Sequence, residues 1–83
     1  LTRSLAKELG PRRITINAVS PGPTETDLFM TGKTPQEIDF MAKQSAFGRL
    51  GQPGEIAETV AFLASPAAGW ISGQNLRVNG GLA

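Results

Sequence analysis

The sequence predicts an α/β fold, and within that class one end of a larger doubly wound parallel sheet with helices on both faces. Three observations predict it. Two short, largely apolar runs, residues 14–19 and 75–79, read as strands, the first rich in β-branched residues. Helical patterns precede the first run and fill the stretch between the two, which calls for a parallel pair joined by a right-handed crossover. Two parallel strands cannot cover their own faces, so the order helix, strand, helix, helix, strand belongs to one end of a bigger sheet.

The elements follow in chain order. Residues 1–9 place Leu1, Leu5 and Leu9 on one stripe of a helix, which is expected to pack on the sheet. Gly10-Pro11 is the stop. Leu1 already stands inside the periodic pattern, as in a helix cut from a longer protein. The run 14–19 (ITINAV) has Asn17 as its one misfit, and a polar side chain there is expected to hydrogen-bond neighbouring backbone and pin the strand. Residues 20–34 are a loop of Pro, Gly and Thr. Thr34-Pro35-Gln36-Glu37 then opens a helix to about residue 44, with Thr34 as N-cap, Pro35 at the first helical position and Glu37 completing a capping box. The GRLGQPG stretch 48–54 breaks it. Pro53 opens the last helix, with Glu55 in its first turn and Ile56, Ala57, Val60, Leu63 and Ala64 as its apolar stripe. Ser65-Pro66 ends that helix, and Asn75 to Asn79 follow as the second strand.

Composition narrows the chemistry. Eighty-three residues make at most one small domain. Such a chain buries only about 60% of its unfolded surface and is marginal without a staple or a partner. There is no Cys, His or Tyr, which removes disulfides, thiolate metal sites and the usual general base. No metal site is expected. Eight basic and seven acidic residues give a net charge of +1, which argues against a nucleic-acid partner. No apolar run reaches the roughly 20 residues of a membrane span. No secretory leader pattern is visible, and a cytoplasmic location is expected. Lys33, Lys43, Asp39 and Glu37 read as solvated charges.

Five segments, in this order, resemble the carboxyl-terminal third of the short-chain dehydrogenase/reductase family. They are the helix 1–10, the strand with its Ser20-Pro21-Gly22 turn, the Arg49-Leu50-Gly51-Gln52-Pro53-Gly54-Glu55-Ile56-Ala57 lead-in, Ile71-Ser72-Gly73-Gln74, and the strand that ends in Asn79-Gly80-Gly81. The lead-in and the Gly-Gly tail resemble the group around the β-ketoacyl-acyl-carrier-protein reductases. The resemblance covers essentially the whole chain. It implies a segment of a single NAD(P)-binding Rossmann-like domain, with hydride transfer between NAD or NADP and a small carbonyl or alcohol substrate.

On that resemblance, Pro21 and Gly22 lie beside the nicotinamide. The Thr24 backbone bonds its carboxamide, and the Thr26 hydroxyl reaches the carboxamide or the pyrophosphate. The family often carries Val or Ile where Thr24 stands, a change that a backbone contact tolerates. Residues 24–47 are the expected substrate lid, whose Phe and Met side chains either contact an apolar substrate or pack the lid onto the body. The helix 53–64 and the strand 75–79 are the expected homo-oligomer contact, with Trp70 as an interface anchor or a core residue. The family's catalytic Tyr and Lys and its Gly-rich phosphate turn have no counterpart here. No catalytic residue is therefore assigned, and the 83 residues alone are expected to be inactive. The alternatives are a non-catalytic, self-associating fragment or a small interaction module.

Overall fold

The computed structural model describes residues 1–82. Helix α1 (Thr2–Leu9) passes into a 3-10 turn at Gly10–Arg12. The α-helix ends at Leu9 with Gly10 as its C-cap, as expected, although Gly10 keeps right-handed angles and the chain runs on as the 3-10 turn. The reversal falls on Arg13, at φ 59°, whose N–H bonds the Gly10 carbonyl at 2.8 Å. α1 meets the rest of the chain through Ala6, which sits against Gly73, where an added Cβ would lie 3.2 Å from the Ala6 methyl. The expected leucine stripe is covered in part: Leu5 and Leu9 lie with Thr2 and Ala6 on the half-buried face, and Leu1 is exposed.

Strand β1 spans Ala18–Pro21 and strand β2 spans Asn75–Val78. They pair in parallel, Ala18 opposite Asn75 and Pro21 opposite Val78. The first strand therefore begins four residues later than its β-branched run suggests. The reason is the partner, because β2 starts only opposite Ala18. Residues 14–17 lead in instead through bonds to the 71–74 segment. Ile16 N–H donates to Ser72 Oγ at 3.1 Å and Gly73 N–H donates to the Ile16 carbonyl at 2.7 Å. Asn17 does what its position predicts. Its amide donates to the Ile71 carbonyl at 3.0 Å and its Oδ1 accepts from Gln74 N–H at 3.1 Å, tying the two strand entries together.

Three helices, not two, lie between the strands. α2 (Asp27–Met30) is a single turn inside the expected loop, set by Thr26 as N-cap rather than by any periodicity. α3 (Pro35–Ala42) carries the predicted capping box: Glu37 N–H donates to Thr34 Oγ1 at 3.1 Å and Thr34 N–H to Glu37 Oε1 at 3.4 Å. α4 (Pro53–Leu63) begins at Pro53 as predicted and is followed by a 3-10 turn at Pro66–Ala68.

Among the described residues, Leu50 and Ala68 are the only buried apolar side chains. Trp70 is fully exposed, and Val60, Phe62 and Leu76 are about half exposed. The accessible surface is 6176 Å², whereas a compact protein of this mass presents about 4700 Å². The radius of gyration is 15.5 Å, against about 12 Å for a globule of this length. Polar bonding is extensive, while the apolar faces of the helices and sheet have little to cover them.

Candidate functional site

The two strands end on one edge, and the ladder continues one step past them where Gly22 N–H donates to the Val78 carbonyl at 2.9 Å. That step brings backbone against backbone. A Cβ on Gly22 would lie 2.7 Å from Asn79 Cβ and 2.9 Å from its Cα, so only glycine fits. This crossing accounts for the glycine without any ligand.

Beyond Gly22 the chain closes a neck. Thr24 and Gly51 form an isolated parallel bridge. Gly51 N–H donates to the Pro23 carbonyl at 3.0 Å, and Glu25 N–H donates to the Gly51 carbonyl at 2.8 Å. The Thr24 hydroxyl folds back onto the Gly22 carbonyl at 2.8 Å. The Thr24 N–H, in a half-buried residue, has no acceptor among the described residues. That N–H is therefore free to bond water or a ligand.

Three further contacts lock the neck. Gln52 Nε2 donates to Glu25 Oε2 at 2.7 Å. Arg49 forks onto Glu55, Nη1 to Oε1 at 2.8 Å and Nη2 to Oε2 at 2.9 Å. Glu55 Oε1 also accepts from Gln52 N–H at 2.9 Å. The Arg49 bonds and the Gln52 N–H bond hold the Glu55 carboxyl far below its ordinary value of 4.5, at about 2, and Arg49 is raised in turn.

Between Thr24 and Gly51 hangs the excursion that contains α2 and α3. Thr26 Oγ1 accepts from Phe29 N–H at 3.2 Å as the α2 cap. Its own proton has no acceptor among the described residues. Lys33 is half-buried rather than solvated. Its ammonium donates to the Phe29 carbonyl at 2.6 Å and sits 4.3 Å from the centre of the Phe29 ring. Asp39 and Lys43 form an exposed ion pair at 2.8 Å. At the far end, Ala46 N–H donates to the Gly80 carbonyl at 2.8 Å. The left-handed pair Gly80-Gly81 lets this segment settle, since a Cβ on Gly81 would lie 2.8 Å from Ala46 Cβ. A cleft of about 170 Å³ lies between the excursion and the sheet edge, with Pro23, Met41, Phe47, Ile56, Val78 and Asn79 among its walls.

Of the four residues the sequence singles out, Pro21 ends β1, Gly22 crosses Asn79, Thr24 presents an unpaired N–H, and Thr26 presents a hydroxyl proton. None lines the cleft, although Pro23 between them does. Sequence reasoning missed Gly51, Gln52 and the second role of Glu55. The available signal was an Arg and a Glu flanking a Leu-Gly-Gln-Pro-Gly turn at a separation of six. Among the described residues there is no cluster of acidic residues with the makings of a metal site, and no helix long and apolar enough to cross a membrane.

Known proteins share this arrangement. A family model described as enoyl-(acyl carrier protein) reductase matches residues 1–83. An NADPH-dependent aldehyde reductase 2 of Arabidopsis thaliana, chloroplastic, is 46% identical over 81 residues, covering 98% of this chain and 30% of that protein. A 3-oxoacyl-(acyl-carrier-protein) reductase of Vibrio cholerae is 48% identical over 81 residues, covering 98% of this chain and 33% of its own length. Among solved structures, an angucycline C-6 ketoreductase with bound NADP aligns at a TM-score of 0.86 and 38% identity over 98% of this chain and 31% of the ketoreductase. A variant of a Serratia marcescens short-chain dehydrogenase/reductase aligns at the same score and 42% identity, over 98% of this chain and 32% of its own. The chain thus spans about a third of the length of the relatives it matches. One family model takes in every residue, and the parallel pair, the neck and the excursion align with solved structures over nearly the whole chain: this chain belongs to the short-chain dehydrogenase/reductase family of oxidoreductases.

Proposed function

We propose that this chain forms the nicotinamide and substrate side of an NAD(P)-dependent oxidoreductase that interconverts a carbonyl and an alcohol, and that it has no activity alone. One observation carries the reading. At the carboxyl edge of the parallel pair, where α/β sheets bind their ligands, a half-buried Thr24 N–H stands without an acceptor. A nicotinamide carboxamide offers both an acceptor and a donor, so it suits this peptide and the neighbouring Thr26 hydroxyl. When bound, the nicotinamide gives or takes the hydride. The chain's own share is to orient the ring. Thr24 N–H holds the carboxamide oxygen, the Thr26 hydroxyl proton donates to the carboxamide or to a pyrophosphate oxygen, and the Pro21-Gly22 turn borders the ring. Residues 24–47 act as the lid over the substrate and shield it from water. The chain holds no Tyr and no His, and on this reading proton transfer to the substrate oxygen belongs to residues elsewhere in a complete enzyme.

The uncovered surface supports assembly. Trp70, Phe62, Val60 and Leu76 are exposed, and the outer edge of β2 has no neighbour among the described residues. Homo-oligomer contact through the helix 53–64 and the strand 75–79 belongs to the same proposal.

The test is a chimaera in which this chain replaces the segment it matches in the V. cholerae reductase. The chimaera is expected to bind NADPH and consume it with a 3-oxoacyl thioester, whereas the 83-residue chain alone does neither. A folded chimaera that fails to bind NADPH refutes the nicotinamide assignment. Carbonyl reduction by the isolated chain refutes the assignment of inactivity.

A further inference from the structure

We propose that Glu55 is a positioning residue for the nicotinamide, acting through Gly51 on the Thr24 peptide; this rests on the reading of Thr24 given above. The argument is a chain of bonds. The Glu55 carboxylate holds residues on both sides of Gly51: the guanidinium of Arg49 through a two-point fork, and the N–H of Gln52. Arg49 Nη1 also donates to the Leu50 carbonyl at 3.0 Å, which is the acceptor half of the Leu50–Gly51 peptide. Gly51 is therefore fixed on both flanks. Its N–H in turn grips the Pro23 carbonyl at 3.0 Å. That carbonyl and the Thr24 N–H belong to one peptide unit. The unit is planar and trans, so pulling the carbonyl toward Gly51 points the N–H the opposite way. Glu25 N–H, bonded to the Gly51 carbonyl, and Gln52 Nε2, bonded to Glu25 Oε2, fix the next peptide as well. The donor offered to the carboxamide is thus aimed from the start of α4, by a carboxylate that acts on it through Gly51 and that also borders the cleft.

The arrangement also explains why a fork is used. A planar guanidinium bonded at two points fixes an orientation, whereas a single ammonium contact fixes only a distance. The fork and the Gln52 N–H also lower the Glu55 carboxyl to about 2, so the charged grip extends below the ordinary carboxylate range.

The test compares two ligands in the chimaera described above: NADP⁺, and 2′-phospho-ADP-ribose, which lacks the nicotinamide. Binding is measured by calorimetry for the parent chimaera, Glu55→Gln, Arg49→Lys and the double variant. Glu55→Gln is expected to weaken NADP⁺ by about five- to tenfold, the scale of one misaligned hydrogen bond, with the analogue changed less than about twofold. Arg49→Lys keeps the charge and loses the fork; it is expected to show the same selectivity at about two- to threefold, and the double variant no more than Glu55→Gln alone. Equal loss for both ligands, or none for either, overturns the proposal and leaves the nicotinamide reading standing. A parent chimaera that binds NADP⁺ no better than the analogue removes the nicotinamide reading itself, and this proposal with it.

Discussion

The neck and the helical flanks of this chain are finished to different degrees. At the neck, residues 17–25 meet residues 49–55 and 71–80 through a dense set of hydrogen bonds. Along the flanks, Ile56 and Leu63 are half-buried, Val60 and Phe62 are about half exposed, and Trp70 is fully exposed. Polar satisfaction is therefore local and self-contained, while apolar burial is not. Hydrogen bonds organise the site, but each contributes only about 1 kcal/mol net. The larger stabilising term, burial of apolar surface, scales with area removed from water and is largely missing here. A hydrogen-bonded sheet edge can thus be built into a segment whose apolar faces are largely uncovered.

The largest expected effect breaks that comparison directly. Supplying the missing cover should convert the chain from a non-cooperative to a cooperative unfolder. The isolated 83-residue chain is expected to melt without a sigmoidal transition by circular dichroism and to show water-like Trp70 emission. In the chimaera a cooperative transition should appear, with Trp70 emission shifted to the blue. A sharp transition of the isolated monomer would mean that the flanks are covered by rearrangement within the chain.

Next come substitutions at the neck itself, measured as stability of the chimaera. Gly22→Ala forces a methyl group to 2.7 Å from Asn79 Cβ; a cost of about 1–3 kcal/mol is expected, as for overpacking. Gly54→Ala is the control. It lies in α4 with nothing within 4 Å of an added Cβ, and a change of at most about 1 kcal/mol in the stabilising direction is expected. Equal costs at the two positions would mean that Gly22 does not cross Asn79 in solution. Asn17→Ala strips the bonds to Ile71 and Gln74 and is expected to cost about 1–3 kcal/mol. Denaturant midpoints at constant m-value give all three numbers.

How much of this was legible in the sequence follows the same division. Features specified by local chemistry were readable: the Thr34–Glu37 capping box, the start of α4 at Pro53, the second strand, and Asn17 as the pin between strand entries. Features specified by a distant partner were not. β1 lies at Ala18–Pro21 because β2 begins opposite Ala18, although the β-branched residues precede it. α2 is one capped turn with no period to detect. Gly22 is a glycine because Asn79, 57 positions later, occupies the space of a side chain. At the candidate site, the Pro-Gly turn was legible as lying at the carboxyl edge of the parallel pair, and the structure places it there. The orientation of the Thr24 N–H was hidden, because it depends on Gly51 and hence on Glu55. In the sequence Glu55 shows only as an acid in a first helical turn.

The smallest expected effect sharpens the account of the neck by titration. Glu55 has its folded value depressed from 4.5 to about 2 by the Arg49 fork and the Gln52 N–H. A depressed carboxylate contributes stability that is fully present above its unfolded value and is lost as pH falls through its folded value. The difference in stability between the parent chimaera and Glu55→Gln should therefore be constant above about pH 5. It should shrink between pH 4.5 and about 2 and vanish below, where a protonated Glu and a Gln are alike. The fork is about half exposed, so added salt should reduce the plateau by screening. Melting temperatures of the two proteins across that range give the curve directly. A difference that does not change between pH 6 and pH 2 would show that Arg49 and Glu55 are not joined in solution. The neck would then be held by the backbone bonds of Gly51 and by the Gln52–Glu25 contact, and the orientation of Thr24 would owe nothing to the Arg49 fork.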